Sequence, residues 1–301
     1  LTRHRFALIA LLAHFALAAT VVVDAWWDSG HFLTGRAAAE AVPADMPAFF
    51  RQAVDQLAYL SYEPDRWKDS AERAADPALN GGSSAEHYLD IEQVPPNTLT
   101  LPNRNDFLAA VGKRNLKGGD VGLLPYRALE LFQQLRVNFR LWRAAKDERT
   151  RAFIEQRILD DAGLLGHYIG DGANPLHTTI HHNGWVGKKN PRRWTTDNTL
   201  HARFEGKFVA AKILIEDIRP RVSAAPRVVA QPRREILDFL TKSHGYVEEL
   251  YRLEKIEPFS EKTTAETHKT FVADRIAAGS TFLRDLWWTA YVTSDQSSSS
   301  R

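Results

Sequence analysis

His167 and Asp171 stand four residues apart, and His177 follows six residues after Asp171. On a helix that spacing puts His167 and Asp171 on one face, one turn apart, within reach of a single cation. Gly172 and the Asn174-Pro175 pair then predict a stop, with a rigid turn that aims His177. His201 and Glu205 repeat the four-residue spacing downstream. Imidazole and carboxylate are the ligands zinc takes when thiolate is absent, and the chain has no cysteine. A single His/Asp pair is more often a solvated or hydrogen-bonded pair. Two such pairs and a third His make metal binding the better reading, because an inward-facing carboxylate needs a compensating charge.

The elements that must carry these residues read as helices. Apolar residues recur at three- and four-residue spacing over 126–146, 148–168, 199–218, 235–255 and 264–292. Few segments alternate like strands. Asn80-Gly81-Gly82-Ser83-Ser84, Val94-Pro95-Pro96-Asn97, Lys117-Gly118-Gly119 and the polar stretch 184–198 punctuate them as loops. No composition shift or internal repeat marks a second domain. The expectation is an all-α fold, a single multi-helix domain over 26–293 with long loops around a metal cluster and a disordered polar tail over 294–301.

The chain of 301 residues carries 39 Lys plus Arg against 37 Asp plus Glu, a formal charge of +2, and is 44% hydrophobic. Disorder and collagen-like repeats are excluded, and so is a strong field for attracting polyanions, so binding must be local. Residues 1–25 have a signal-peptide layout: Arg3 and Arg5, an apolar run from Phe6 to Ala19, then Val23-Asp24-Ala25. The run is shorter than the roughly 20 apolar residues of a membrane span. Cleavage after Ala25 predicts a secreted or periplasmic chain with a free amine on Trp26 and no integral membrane segment.

The string His167 to His177, followed by His201 and Glu205, resembles the zinc-dependent phospholipase C and single-strand-specific nuclease superfamily. Its members carry a His, three residues, Asp, five residues, His string, and then His, three residues, Asp or Glu. The mature family chain also begins with a Trp followed closely by a His, which Trp26 and His31 match; cleavage one residue later would place Trp27 first. An upstream Asp and His complete the family set. Asp65 in Glu63-Pro64-Asp65-Arg66-Trp67 and His87 in Glu86-His87-Tyr88-Leu89-Asp90 resemble them, with Glu63 and Asp69 as neighbours of the same type. The stretch between Asp65 and His87 is longer than the family's compact spacing.

The resemblance implies three zinc ions. Asp65, His87, His167 and Asp171 would hold the first. Trp26, His31 and a bridging Asp171 would hold the second, and His177, His201 and Glu205 the third. Asp65 and Asp171 are the implied catalytic carboxylates. Paired divalent cations about 3.5 to 4 Å apart make water nucleophilic near neutral pH, for in-line attack on a phosphodiester. The expected function is a secreted metal-dependent hydrolase of phosphoester bonds. Its substrate would be single-stranded nucleic acid or nucleotides, with phospholipid headgroups as the alternative and no stable protein partner. His87-Tyr88-Leu89-Asp90 and Asn198-Thr199-Leu200-His201 resemble the nuclease versions of the motifs, Glu205 the phospholipase version. A catalytically inactive, zinc-stabilised helical binding module is a further alternative.

Other residues divide between chemistry and packing. His181 and His182 either touch substrate phosphate or are solvated loop residues. Arg192 and Arg193 beside Trp194 either clamp a phosphate and stack a base or form a plain exposed loop. Tyr88 is a stacking platform or a core residue. His244 and His268 have no partner at ligand spacing, and Trp287 and Trp288 are expected in the core.

Overall fold

A computed structural model describes residues 27–77, 83–94 and 96–295. Trp26 and the leader therefore lie outside the described residues, as do residues 296–301. Among the described residues the secondary structure is helical, with no strand. The elements that matter for the site are α1 (Trp27–Glu40), α2 (Val54–Leu60), α3 (Glu63–Arg66), α4 (Leu124–Ala144) and α5 (Glu148–Ala173), followed by α6 (200–212), α7 (Pro232–His244), α8 (Val247–Ile256) and α9 (Glu266–Thr293).

Helix α5 is the axis of the fold and packs against α1, α2, α4, α7 and α9. Asp147 caps its start by accepting from Thr150 N. Ile158, Leu159, Ala162, Leu165 and Ile169 repeat at helical spacing and are buried. The helix ends at Asn174, which is extended as residues before proline prefer to be. Asn174 Oδ1 then accepts from Leu176 N and starts the short 3₁₀ turn Pro175–Thr178.

The apolar core falls into two clusters, the first taking in α5 as far as Ile169 and the second taking in Leu176 just beyond its end. One holds Phe50, Phe107, Phe132, Phe139 and Trp287. The other holds Leu33, Leu176, Phe204, Phe208, Tyr251 and Phe259. The approach of neighbouring backbones to α5 depends on glycine. A methyl at Gly166 would overlap the Ser61 hydroxyl, and one at Gly170 would stand 2.8 Å from His31 Nδ1.

Several boundaries differ from the periodicity. The predicted 235–255 helix breaks at Gly245 and Tyr246 into α7 and α8, because Gly245 ends the first helix after Lys242 and His244. The predicted 199–218 helix also breaks. α6 widens into a π-helical segment over Arg203–Phe208 and ends at the extended Ile213, and a separate turn, Ile215–Ile218, follows. α5 runs past Asp171 to Ala173. Trp287 is fully buried and donates to Ala162 O, whereas Trp288 is half-buried. Ser294 is buried and accepts from Arg143 Nε.

Candidate metal centre

Four elements deliver the first set of side chains. α1 carries His31, the single turn α3 carries Asp65, the 3₁₀ turn Ala85–His87 carries His87, and α5 carries His167 and Asp171. All five are buried. The two oxygens of Asp171 face different partners. Oδ2 lies 3.1 Å from His87 Nδ1 and 3.2 Å from His167 Nε2, while Oδ1 lies 3.3 Å from His31 Nε2. Asp65 lies across from it, with Oδ1 3.7 Å from His87 Nδ1 and 3.9 Å from His167 Nε2, and Oδ2 3.8 Å from His31 Nε2. Asp65 is the carboxylate of its segment that turns inward. Glu63 pairs with Arg66, and Asp69 is exposed and caps the next short helix.

The second set is built from the 3₁₀ turn after α5 and from α6. Glu205 Oε1 lies 2.8 Å from His177 Nε2 and 2.9 Å from His201 Nε2, and the two imidazole nitrogens are 3.3 Å apart. Glu205 and His177 are buried and His201 is half-buried. Glu205 lies within the π-helical segment, a local widening frequent at functional sites. Asn174 donates to the same Glu205 oxygen.

Main-chain carbonyls orient the rings. His167 Nδ1 lies 3.0 Å from Ser61 O and His177 Nδ1 lies 2.6 Å from His87 O, so each donates there and turns its Nε2 toward the cluster. Ser61, the His87 carbonyl, Asn174 and Lys68, whose Nζ lies 2.7 Å from Asp65 Oδ1, belong to the site although no motif announces them.

Electrostatics differ across the centre. Burial and the neighbouring His31 push His167 down to about 4, so it is neutral near pH 7. Burial also disfavours charge on His177, but Asp171 and Glu205 outweigh it and push His177 up to about 10. Burial works against the Asp171 carboxylate, yet His177 and His167 hold it well below the usual range, and His201 and His177 do the same for Glu205.

Three groups of side chains bring ligand atoms close enough to hold metal ions: His31, Asp65 and His167; His87, His167 and Asp171; and His177, His201 and Glu205. The residues fit divalent cations on their own chemistry. Buried carboxylates converge with imidazole nitrogens, His167 Nε2 and His87 Nδ1 approach to 2.9 Å, and His87 Nε2 is buried without a partner. The donors are nitrogen and oxygen alone, a set that suits zinc and related transition metals.

The remaining candidates take other roles. Trp194 is 7% exposed and packs in the second apolar cluster against Tyr251, so it is no platform for a base, whereas the loop around it is exposed as the plainer reading expects. Arg192 is exposed and pairs with Glu248, and Arg193 is exposed with a positive φ of 54°. Tyr88 is half-buried with its hydroxyl on Gly119 O. His268 is buried and bonded to the carbonyls of Leu253 and Glu257, and His244 to that of Thr178. His181 stacks on Trp185 at 3.8 Å and 8°, and the His182 ring lies 6.2 Å from that of His201. A comparison with protein-family models and with curated proteins returned no match.

Proposed function

We propose that the chain is a zinc-dependent phosphodiesterase of the phospholipase C and single-strand-specific nuclease type, acting on single-stranded nucleic acid or nucleotides. The observation that carries this reading is the Asp171 carboxylate, with Oδ2 between His87 and His167 and Oδ1 toward His31. A carboxylate shared in this way is the bridge a two-cation centre requires. Cations bound there supply acidified water at neutral pH and neutralise charge developing on the phosphoryl oxygens. Asp171 holds its two neighbouring groups in register. Asp65, with Oδ2 3.8 Å from His31 Nε2 and Oδ1 engaged by Lys68, would orient the attacking water and take up its proton. His177, His201 and Glu205 would hold the third ion, toward the leaving oxygen. By the same resemblance, the amine of Trp26, which lies outside the described residues, would serve as a further ligand once the leader is removed.

The stacked His181 and Trp185, on the loop that brings His182 beside His201, support a nucleic acid substrate, since bases stack on such surfaces. The test is turnover by the purified, processed chain on single-stranded DNA, RNA and phosphatidylcholine, before and after chelation and zinc return. Cleavage of nucleic acid that is lost with chelator and restored by zinc is the expected result. Phosphocholine release with intact nucleic acid overturns the substrate, and a fully metallated but inert protein overturns the enzyme.

A further inference from the structure

Beside the centre is a small chamber of about 40 Å³, room for one compact polar group or a few waters. His31, Asp171, Asn174 and Glu205 form the wall it shares with the metal groups, and Phe204, Val272 and Ile276 form an apolar floor. Arg275 of α9 also lines it. The Arg275 guanidinium carbon lies 3.7 Å from the Tyr246 ring centroid, and its Nε is buried without a hydrogen-bond partner. Among the described residues Arg275 enters no ion pair, whereas the neighbouring Arg203, Arg221 and Arg284 each meet a carboxylate.

Arg275 is half-buried, and the Nε edge of its guanidinium that leaves water calls for an anion or another acceptor to meet it. The carboxylates in the chamber wall are already engaged: Glu205 by His177, His201 and Asn174, and Asp171 by His31, His87 and His167. Stacking on Tyr246 fixes the guanidinium plane and leaves donors for planar, bidentate contact with phosphate. A quaternary ammonium headgroup in the same chamber would meet a like charge.

We propose that this chamber is a subsite for a second phosphate of the substrate, held by Arg275 next to the phosphodiester that is cleaved. The proposal rests on the phosphodiesterase reading and adds a selection for nucleotides bearing an extra phosphate.

The test compares a thymidine dinucleotide with and without a 5′-phosphate, using the zinc-loaded chain. The wild type is expected to favour the phosphorylated dinucleotide by about tenfold in kcat/KM, carried by KM, as one charge-assisted hydrogen bond provides. Arg275→Met is expected to bring that ratio close to one, and Arg275→Lys to retain part of it. A purely structural Arg275 would alter folding or overall rate without changing the ratio. Equal use of both dinucleotides by the wild type, or a ratio that survives in Arg275→Met, overturns the subsite and leaves the enzyme reading standing. Should Arg275→Met not fold, the wild-type ratio and Arg275→Lys decide the matter. Cleavage of neither dinucleotide overturns the phosphodiesterase reading, and the subsite with it. Faster headgroup release from phosphatidylcholine vesicles than cleavage of either dinucleotide also overturns the subsite.

Discussion

The residues around Asp171 and those around Glu205 use the same side-chain types but are built differently. The Asp171 group draws on four elements spread from His31 to Asp171, and its His167 is neutral and seated on a regular helix. The Glu205 group spans only His177 to Glu205 and includes a half-buried His201, a π-helical segment and a His177 that Asp171 and Glu205 push up to about 10. The first is a preorganised ligand set held by the core. The second has the imidazole raised to about 10, His177, and its His201 sits closer to solvent. A centre assembled this way has a tight structural half and an adjustable half.

The largest expected effect comes from removing the shared carboxylate. Asp171→Asn should cut turnover by on the order of 10³ and lower the metal content per chain. Full activity measured on single-stranded DNA would remove the bridging role. Glu205→Gln should be milder, about 10- to 100-fold in metal affinity or rate, with loss confined to the metal of its own group. Metal analysis that finds both groups emptied would show that the two halves are one unit.

Gly170→Ala tests the packing of the first half. The new methyl would meet His31, so a loss of about 1–3 kcal/mol and weaker zinc binding are expected. Gly112→Ala, where nothing lies within 4 Å, serves as the control in the same thermal melts.

The halves should also differ in pH response. His177 is raised in the folded, metal-free chain, so its contribution to stability is complete below its unfolded value near 6.5 and is lost as pH rises toward about 10. Melting of the chelated protein should therefore fall across that window, and zinc uptake by this group should release a proton at pH 7 to 8. Calorimetry in buffers of different ionisation enthalpy reads that proton directly. A melting temperature that is flat from pH 7 to 10 would contradict it.

The smallest effect concerns the segment that joins the halves. Burial, then Glu92, push Asp90 up to about 7. A raised carboxyl stabilises most below its unfolded value near 3.9, and the benefit is lost as pH rises through about 7. Asp90→Asn should raise the melting temperature at pH 8 by a few degrees and leave it unchanged near pH 4.

Much of this was legible in the residues themselves. His167 and Asp171 sit one turn apart because α5 is a regular helix, and apolar periodicity located α4, α5 and α9 to within a few residues. The pairing of His201 with Glu205 was also legible, but the π-helical widening beneath it was not, since four-residue spacing reads the same on either helix. Gly166 and Gly170 carry no periodic signal; their necessity depends on Ser61 and His31 arriving from distant positions. Arg275 looked like any charged residue on a long helix until its neighbours turned out to leave it without a carboxylate. The Trp194 loop misled because aromatic and basic neighbours are as common over a core as at a ligand.

His87 faces both halves at once. Its ring turns toward Asp171, its carbonyl accepts from His177, and two residues on Leu89 N donates to His177 O. The gap between the halves is thus a few covalent bonds of one peptide long, a gauge block machined into the main chain. The separation between the two groups of side chains is therefore set by the protein's own main chain.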